Sequence, residues 1–355
     1  MVNNAKIGKW YGVALALLII NTTIFMCACS EKTDATDGPS AKAQRQTIKV
    51  SGAFALYPLM GMWAEEYQKE NKNVKIDVSA GGAGKGMADT IQGIVDIGMV
   101  SRGIYQSEID QGILWVAVAK DAVIATISSS NPVRGAILTR GISKETFESI
   151  FISRDAKTWG AVSGDASLTA PIRVYTRSDA CGAAQTWAEY LGRYTQDDLT
   201  NAADSAINGD PSLAAAVQGD SLSIGYNNIN FVYDANTRRP FAGLVPVPID
   251  INGNGRLDDD ERVYDTLDDI VDAIGKNIYP SPPARDLYLV TGKDLSEPAE
   301  RFIRWILTEG QRHITVNGYI ILSDEVISEQ LVFLDTKQRP EMRAGQAEYA
   351  EDSKK

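Results

Sequence analysis

The chain has one histidine and three cysteines in 355 residues, and that scarcity removes most catalytic readings. A hydrolase of the Ser–His or Cys–His kind needs a base beside its nucleophile. His313, in a C-terminal helical stretch, reads as structural, and Cys181 has no candidate base, so no enzyme is expected. A disulfide framework is also excluded. Cys27 and Cys29 close a leader-like segment, which leaves Cys181 alone and best read as a small buried hydrophobe. Positive charge is short too, with 35 basic against 46 acidic side chains and a net charge of −11. A nucleic-acid binder shows a basic stripe, and none is present.

The N-terminus reads as processing signal rather than fold. Lys6 and Lys9 precede the apolar run Val13 to Ile20, which is too short for a comfortable membrane span. The segment ends Phe25-Met26-Cys27-Ala28-Cys29-Ser30, a bacterial lipoprotein cleavage box. Small Ala28 precedes Cys29, whereas bulky Met26 precedes Cys27, so residues 1–28 are read as signal peptide and Cys29 as the lipid-bearing residue. The alternative is a soluble secreted protein with incidental cysteines. The leader carries only Lys6 and Lys9 as charges, so its removal leaves −13. Residues 29–46 are polar, with Gly38-Pro39, and read as a disordered tether. The expected location is the cell envelope, lipid-anchored to a bacterial membrane on its periplasmic or extracellular face. The polar tail 341–355 is read as solvated.

From Thr47 strands and helices alternate, which argues an α/β fold with mostly parallel sheets. Helices are expected over Pro58 to Glu70, Met87 to Ile94, Ser143 to Phe151, Ala183 to Leu191 and Glu297 to Glu309, the last ending at Gly310. Thr266 caps a further amphipathic helix with Leu267, Ile270, Val271 and Ile274 on one face. Strands are expected over Ile97 to Val100, Leu114 to Val118, Val123 to Ile127, Ile172 to Tyr175, Leu222 to Tyr226 and Asp286 to Thr291. Breaks at Asn131-Pro132 and Ser281-Pro282-Pro283 bracket a middle segment. They divide the chain into a discontinuous lobe, 47–128 plus 285–340, and an inserted lobe, 129–284, with a ligand cleft between them.

Two strand-to-helix turns are suited to holding an anion with bare backbone. One is Ser51-Gly52-Ala53-Phe54-Ala55-Leu56-Tyr57-Pro58, and the other is Ala80-Gly81-Gly82-Ala83-Gly84-Lys85-Gly86. A helix start leaves free N–H groups and a partial positive charge, and glycine lets a ligand approach the main chain. The second turn is not a nucleotide P-loop, because Gly86 rather than Ser or Thr follows Lys85. Met87 likewise stands where a dinucleotide fingerprint needs its third glycine.

These turns, with Asp96-Ile97-Gly98-Met99-Val100-Ser101-Arg102 and Arg177-Ser178-Asp179-Ala180-Cys181-Gly182, occur in an order that resembles the substrate-binding proteins of phosphate ABC importers. The resemblance covers about residues 47–330. It implies a two-lobed periplasmic-binding-protein fold of type II that closes on phosphate or a related oxyanion, then docks on a membrane permease, and a monomer is expected. Carried over by position, Arg177 is the anion-gripping arginine and Asp179 the carboxylate that steers it. Backbone donors would be Phe54, Ala55, Ala83, Gly84, Cys181 and Gly182, with Ser101 and Arg102 available to compensate. The family usually carries hydroxyl residues at Phe54, Ala83, Cys181 and Ala183, and all four are replaced here. The alternative is a non-transport lipoprotein that uses the same fold as a calcium-stabilised interaction or sensing module.

Residues 250–261 carry a second, independent pattern. Asp250, Asn252, Asn254, Asp258 and Glu261 place side-chain oxygens at the first, third, fifth, ninth and twelfth positions of a calcium loop. Gly255 stands at the sharp turn, Arg256 offers its carbonyl, and Leu257 is the apolar anchor. Val245-Pro246-Val247-Pro248 cannot form the preceding helix of a sensor pair, so a structural calcium ion is expected.

Overall fold

Strands and helices do alternate, and the computed structural model shows how they are shared between two lobes; it describes residues 46–336. The expected leader, Cys29, the tether up to residue 45 and the tail from residue 337 lie outside the described residues. The chain runs through β1 (Gln46–Gly52), α1 (Tyr57–Glu70), β2 (Val74–Ala80), α2 (Ala83–Ile91), β3 (Ile97–Val100) and α3 (Gln106–Asp110). β4 (Leu114–Ser128) carries it into the second lobe. There follow α4 (Arg134–Arg140), β5 (Ile142–Ser143), α5 (Lys144–Phe151), α6 (Trp159–Ser163), β6 (Arg173–Arg177), α7 (Gly182–Leu191) and α8 (Gln196–Ala202). Then come β7 (Ser205–Ile207), α9 (Asp210–Gly219), β8 (Ser223–Asn228), β9 (Leu244–Pro246), β10 (Ile249–Asp250) and α10 (Leu267–Gly275). β11 (Ala284–Thr291) returns to the first lobe, which α11 (Glu297–Leu307) and α12 (Asp324–Thr336) complete.

One path of strands threads both lobes in the order β2-β1-β3-β11-β4-β8-β6-β7, with β9 also on β4. Pairing is parallel within each lobe, as in β1 with β2 and β3, and β6 with β7 and β8. It is antiparallel wherever β4 or β11 takes part. The sheet is therefore mixed rather than mostly parallel, because two strands must run opposite ways to cross between lobes.

Two buried cores result. Trp63, Met60 and Phe302 belong to the first, and Phe147, Phe151, Trp187 and Tyr226 to the second. In the second, Trp187 meets Phe147 edge-on at 5.1 Å and stacks on Tyr226 at 5.8 Å. β4 serves both, giving Trp115 to Ala119 to the first core and Ala122 to Ile127, apart from the polar Thr126, to the second. The two strands expected there are one, since Asp121 in the middle is neutralised across the ladder by Arg285 of β11 at 2.8 Å.

Other differences are local. α2 begins at Ala83, immediately after the glycine turn, and stops at Ile91. α11 ends at Leu307, and Gly310 falls within a 3₁₀ turn, Glu309–His313. Thr266 caps α10 as expected, its hydroxyl accepting the Asp269 N–H at 3.1 Å. Among the described residues no helix is long and apolar enough to cross a membrane.

α2 rests directly on the strand ends because Gly86 has no side chain. A Cβ there would lie 2.6 Å from the Met99 carbonyl oxygen and 2.8 Å from the Gly52 Cα. Both contacts are backbone and cannot rotate away. Gly86→Ala is expected to lower stability by about 1–3 kcal/mol, read from the urea midpoint. An unchanged midpoint would refute the tight seat of α2.

Candidate anion-binding site

The turns after the carboxyl ends of β1, β2, β3 and β6 pack together. From the first lobe come Gly82, Gly84 and Ser101, and from the second Asp179 to Gly182. A Cβ on Gly82 would stand 2.7 Å from the Ala180 carbonyl oxygen, and one on Gly182 would stand 2.4 Å from the Ser101 hydroxyl. The lobes are therefore closed on each other, and the Gly84 N–H donates across to the Ala180 carbonyl at 3.0 Å.

Arg177 is fully buried at the end of β6. Asp179, two residues on, accepts from its Nε at 2.8 Å and its Nη2 at 2.6 Å, and Asp210 accepts from its Nη1 at 2.5 Å. Three of the five guanidinium N–H donors are thereby taken, leaving one on each terminal nitrogen. The Phe54 ring lies over the guanidinium, 5.4 Å from centroid to carbon. Asp179 is itself fixed by the Gly209 N–H at 3.0 Å.

The predicted donors divide. The N–H groups of Phe54, Ala55, Ala83 and Gly182 enter no hydrogen bond among the described residues, and neither does that of Ala183. Ala83 and Gly182 open α2 and α7, so their N–H groups carry the positive ends of those helices. Gly84 is used by Ala180, and the Cys181 N–H is used by the Gln196 side chain at 3.2 Å. Arg102 is not offered to the site: Glu108 binds it through two bonds, at 2.6 and 3.0 Å, and Tyr105 lies under it. Ser101 is buried against Gly182, and its hydroxyl has no partner among the described residues. Lys85 is spent on Asp89, which also holds Ser51 at 2.6 Å. Arg177 with Asp179 and Asp210 carries no net positive charge, so an anion here would be held by N–H dipoles more than by charge. Reading by turns missed Asp210; its signal was Gly209-Asp210-Pro211, a helix start with proline in the first turn.

A family model for the PBP superfamily domain matches residues 37–309. The chain belongs to the PBP superfamily. Among superfamily relatives, Protein SphX of Synechococcus elongatus is 29% identical over 228 residues, 61% of this chain and 62% of that protein. The phosphate-binding protein PstS of Methanocaldococcus jannaschii is 23% identical over 380 residues, covering 90% of this chain and 93% of that protein. A Clostridium perfringens substrate-binding protein assigned to a phosphate ABC transporter, solved with bound phosphate, aligns at a TM-score of 0.63 and 22% identity. That match covers 78% of this chain and 100% of the other, and supports the two-lobed fold.

The calcium-loop residues lie elsewhere, at the edge of the second lobe. Asp250 accepts the N–H groups of Asn254 at 3.2 Å and Gly255 at 2.8 Å, and Glu261 accepts those of Ile251 at 2.8 Å and Asp258 at 2.9 Å. The amides of Asn252 and Asn254 donate to Asp258, at 2.9 and 2.8 Å, and Arg256 pairs with Asp258 at 2.9 Å. Leu257 is buried. The loop is thus wound around its own oxygens. Among the described residues no group of three or more His, Cys, Asp or Glu side chains stands close enough to hold a metal ion.

Cys181 caps α7, its sulfur accepting the Ala184 N–H at 3.3 Å, and burial pushes the thiol up to about 12. It is protonated at neutral pH and inert. Native protein at pH 8 is expected to leave Cys181 unalkylated by iodoacetamide while unfolded protein labels fully, scored by peptide mass spectrometry. Rapid labelling of folded protein would contradict this position.

Proposed function

We propose that this chain is the solute-binding component of an ABC importer that closes its lobes on phosphate or a related oxyanion and presents the closed form to a membrane permease. The observation that carries the reading is a set of free donors: the N–H groups of Phe54, Ala55, Ala83 and Gly182 have no partner among the described residues, the Phe54 ring lies over Arg177, the turn at Gly82 packs on Asp179 and Ala180, and Arg177 keeps two N–H donors to spare. Two of the proteins it resembles, from Methanocaldococcus jannaschii and Clostridium perfringens, carry phosphate in their names, which agrees with it. Attachment through a lipid on Cys29 is part of the proposal, because a tethered receptor stays near its permease. Capture requires no bond to be broken.

Calorimetric titration with phosphate, arsenate, sulfate and molybdate tests this. Heat is expected with phosphate and is lost in Arg177→Gln; flat traces with all four oxyanions would overturn the proposal. Cys181→Ser returns a hydroxyl to the start of α7 and is expected to tighten phosphate binding by about three- to tenfold, the worth of one added hydrogen bond.

We also propose that residues 250–261 hold a structural calcium ion through Asp250, Asn252, Asn254, Asp258 and Glu261 side chains and the Arg256 carbonyl. Asp250 ends β10, which pairs with β5 at Ser143, so an ion there would brace the rim of the second lobe. At a dissociation constant of about 10⁻⁴ M, 10 mM calcium would add about 2.7 kcal/mol. The melting temperature is expected to rise by several degrees with calcium over chelator, and not in Glu261→Ala. Equal melting in calcium and chelator would refute the ion.

A further inference from the structure

Behind Arg177 runs a buried polar chain that the anion-contacting turns do not account for. Asp210 is fully buried and, besides Arg177, accepts the Asn228 N–H at 2.9 Å and the Asn228 side-chain amide at 2.9 Å. The Asn228 amide oxygen accepts a short bond from Arg285 Nη2. Arg285 grips Asp121 through Nε at 2.8 Å and Nη2 at 3.2 Å, and its Nη1 donates to the Thr186 hydroxyl at 3.0 Å.

The location of Arg285 gives the chain its meaning. Arg285 and Asp121 face each other in register on β11 and β4, the strands that cross between lobes. Ala119 and Leu287 belong to the first core, Ala122 and Ala284 to the second, so the pair sits where one core gives way to the other. From that point Arg285 reaches two parts of the anion site: Arg177, through Asn228 and Asp210, and α7, through Thr186 one turn inside its start. Charges buried this deeply stay only where their partners hold them, so each link fixes the next.

We infer that Arg285 is a positioning residue for the anion site. It ties the guanidinium that would grip the ligand, and the helix start beside it, to the strand crossing about which the lobes would turn. Binding and closure then share one buried chain. Only a guanidinium fork spreads donors over three acceptors in fixed directions; a lysine would keep the Asp121 charge pair and lose the rest. The inference rests on the anion reading of the site and not on which oxyanion it takes.

The test has a ligand-free and a phosphate arm, both on the whole protein. In the first, exchange of the Arg177 Nε–H is followed by ¹⁵N NMR. Arg285→Lys and Asn228→Ala are each expected to speed it about tenfold, the effect of losing one bond to a buried charged group. Tyr279→Phe is the control: it removes another buried bond of the second lobe, to the Val123 carbonyl at 2.7 Å, and none of the chain's own hydrogen bonds. In the second arm, the two chain variants are expected to weaken phosphate binding about tenfold while the control does not. If Arg285→Lys fails to fold, Thr186→Val and Asn228→Ala replace it. Unchanged Arg177 exchange in the folded chain variants would overturn the inference, whether or not phosphate binds. An absence of phosphate binding in the unaltered protein would count only against the phosphate reading.

Discussion

A guanidinium without solvent contact dictates the centre of this molecule. Burial opposes the charge of Arg177, yet Asp210 and Asp179 raise its pKa above the ordinary arginine value, so it stays ionised. Removing such a charge from water costs several kcal/mol, and only well-placed partners offset it. Those partners define the local architecture. β6 delivers Arg177, the turn after it delivers Asp179, and Asp210 opens α9 between β7 and β8. β6 lies between β7 and β8 in the sheet, so the three sources converge because the strands are neighbours.

The same arrangement would let an acidic protein with a net charge of −11 present a site for an anion. Asp179 and Asp210 more than cancel Arg177, and Arg102 is cancelled by Glu108. What is left over is directional: N–H groups at the starts of α2 and α7 and in the turn after β1. Dipoles of this kind act over a few ångströms and weaken quickly with distance. A site built from them must be small and dry, which requires the lobes to approach closely. Gly82, Gly84 and Gly182 permit that approach, because side chains there would collide with Ala180 or Ser101.

The sequence made the turns legible because glycine after a short apolar run and before a helical pattern is a local signal. Arg177 and Asp179 were legible for the same reason, being two residues apart. Arg102 was misjudged because its partner, Glu108, lies in the next short helix, and a bidentate pair across six residues leaves no periodic trace. β4 was divided because Lys120 and Asp121 interrupt an apolar run, and only the partner strand reveals that Asp121 is neutralised. Asp210, Asn228 and Arg285 were invisible as a set. They are separated by 18 and 57 residues, and the sheet order alone brings them together.

The missing hydroxyls fit this geometry better than their number suggests. A serine at the position of Cys181 would donate to a ligand from the start of α7, whereas the thiol there is buried, protonated and engaged as a cap. The gap it leaves is next to Gly182, and the Ser101 hydroxyl stands at that residue without a partner among the described residues. It comes from the opposite lobe. If a ligand is held here, a donor on the same lobe as α7 would face it in any arrangement of the lobes, whereas Ser101, which packs on Gly182 from the other lobe, would face it only while the two lobes are together.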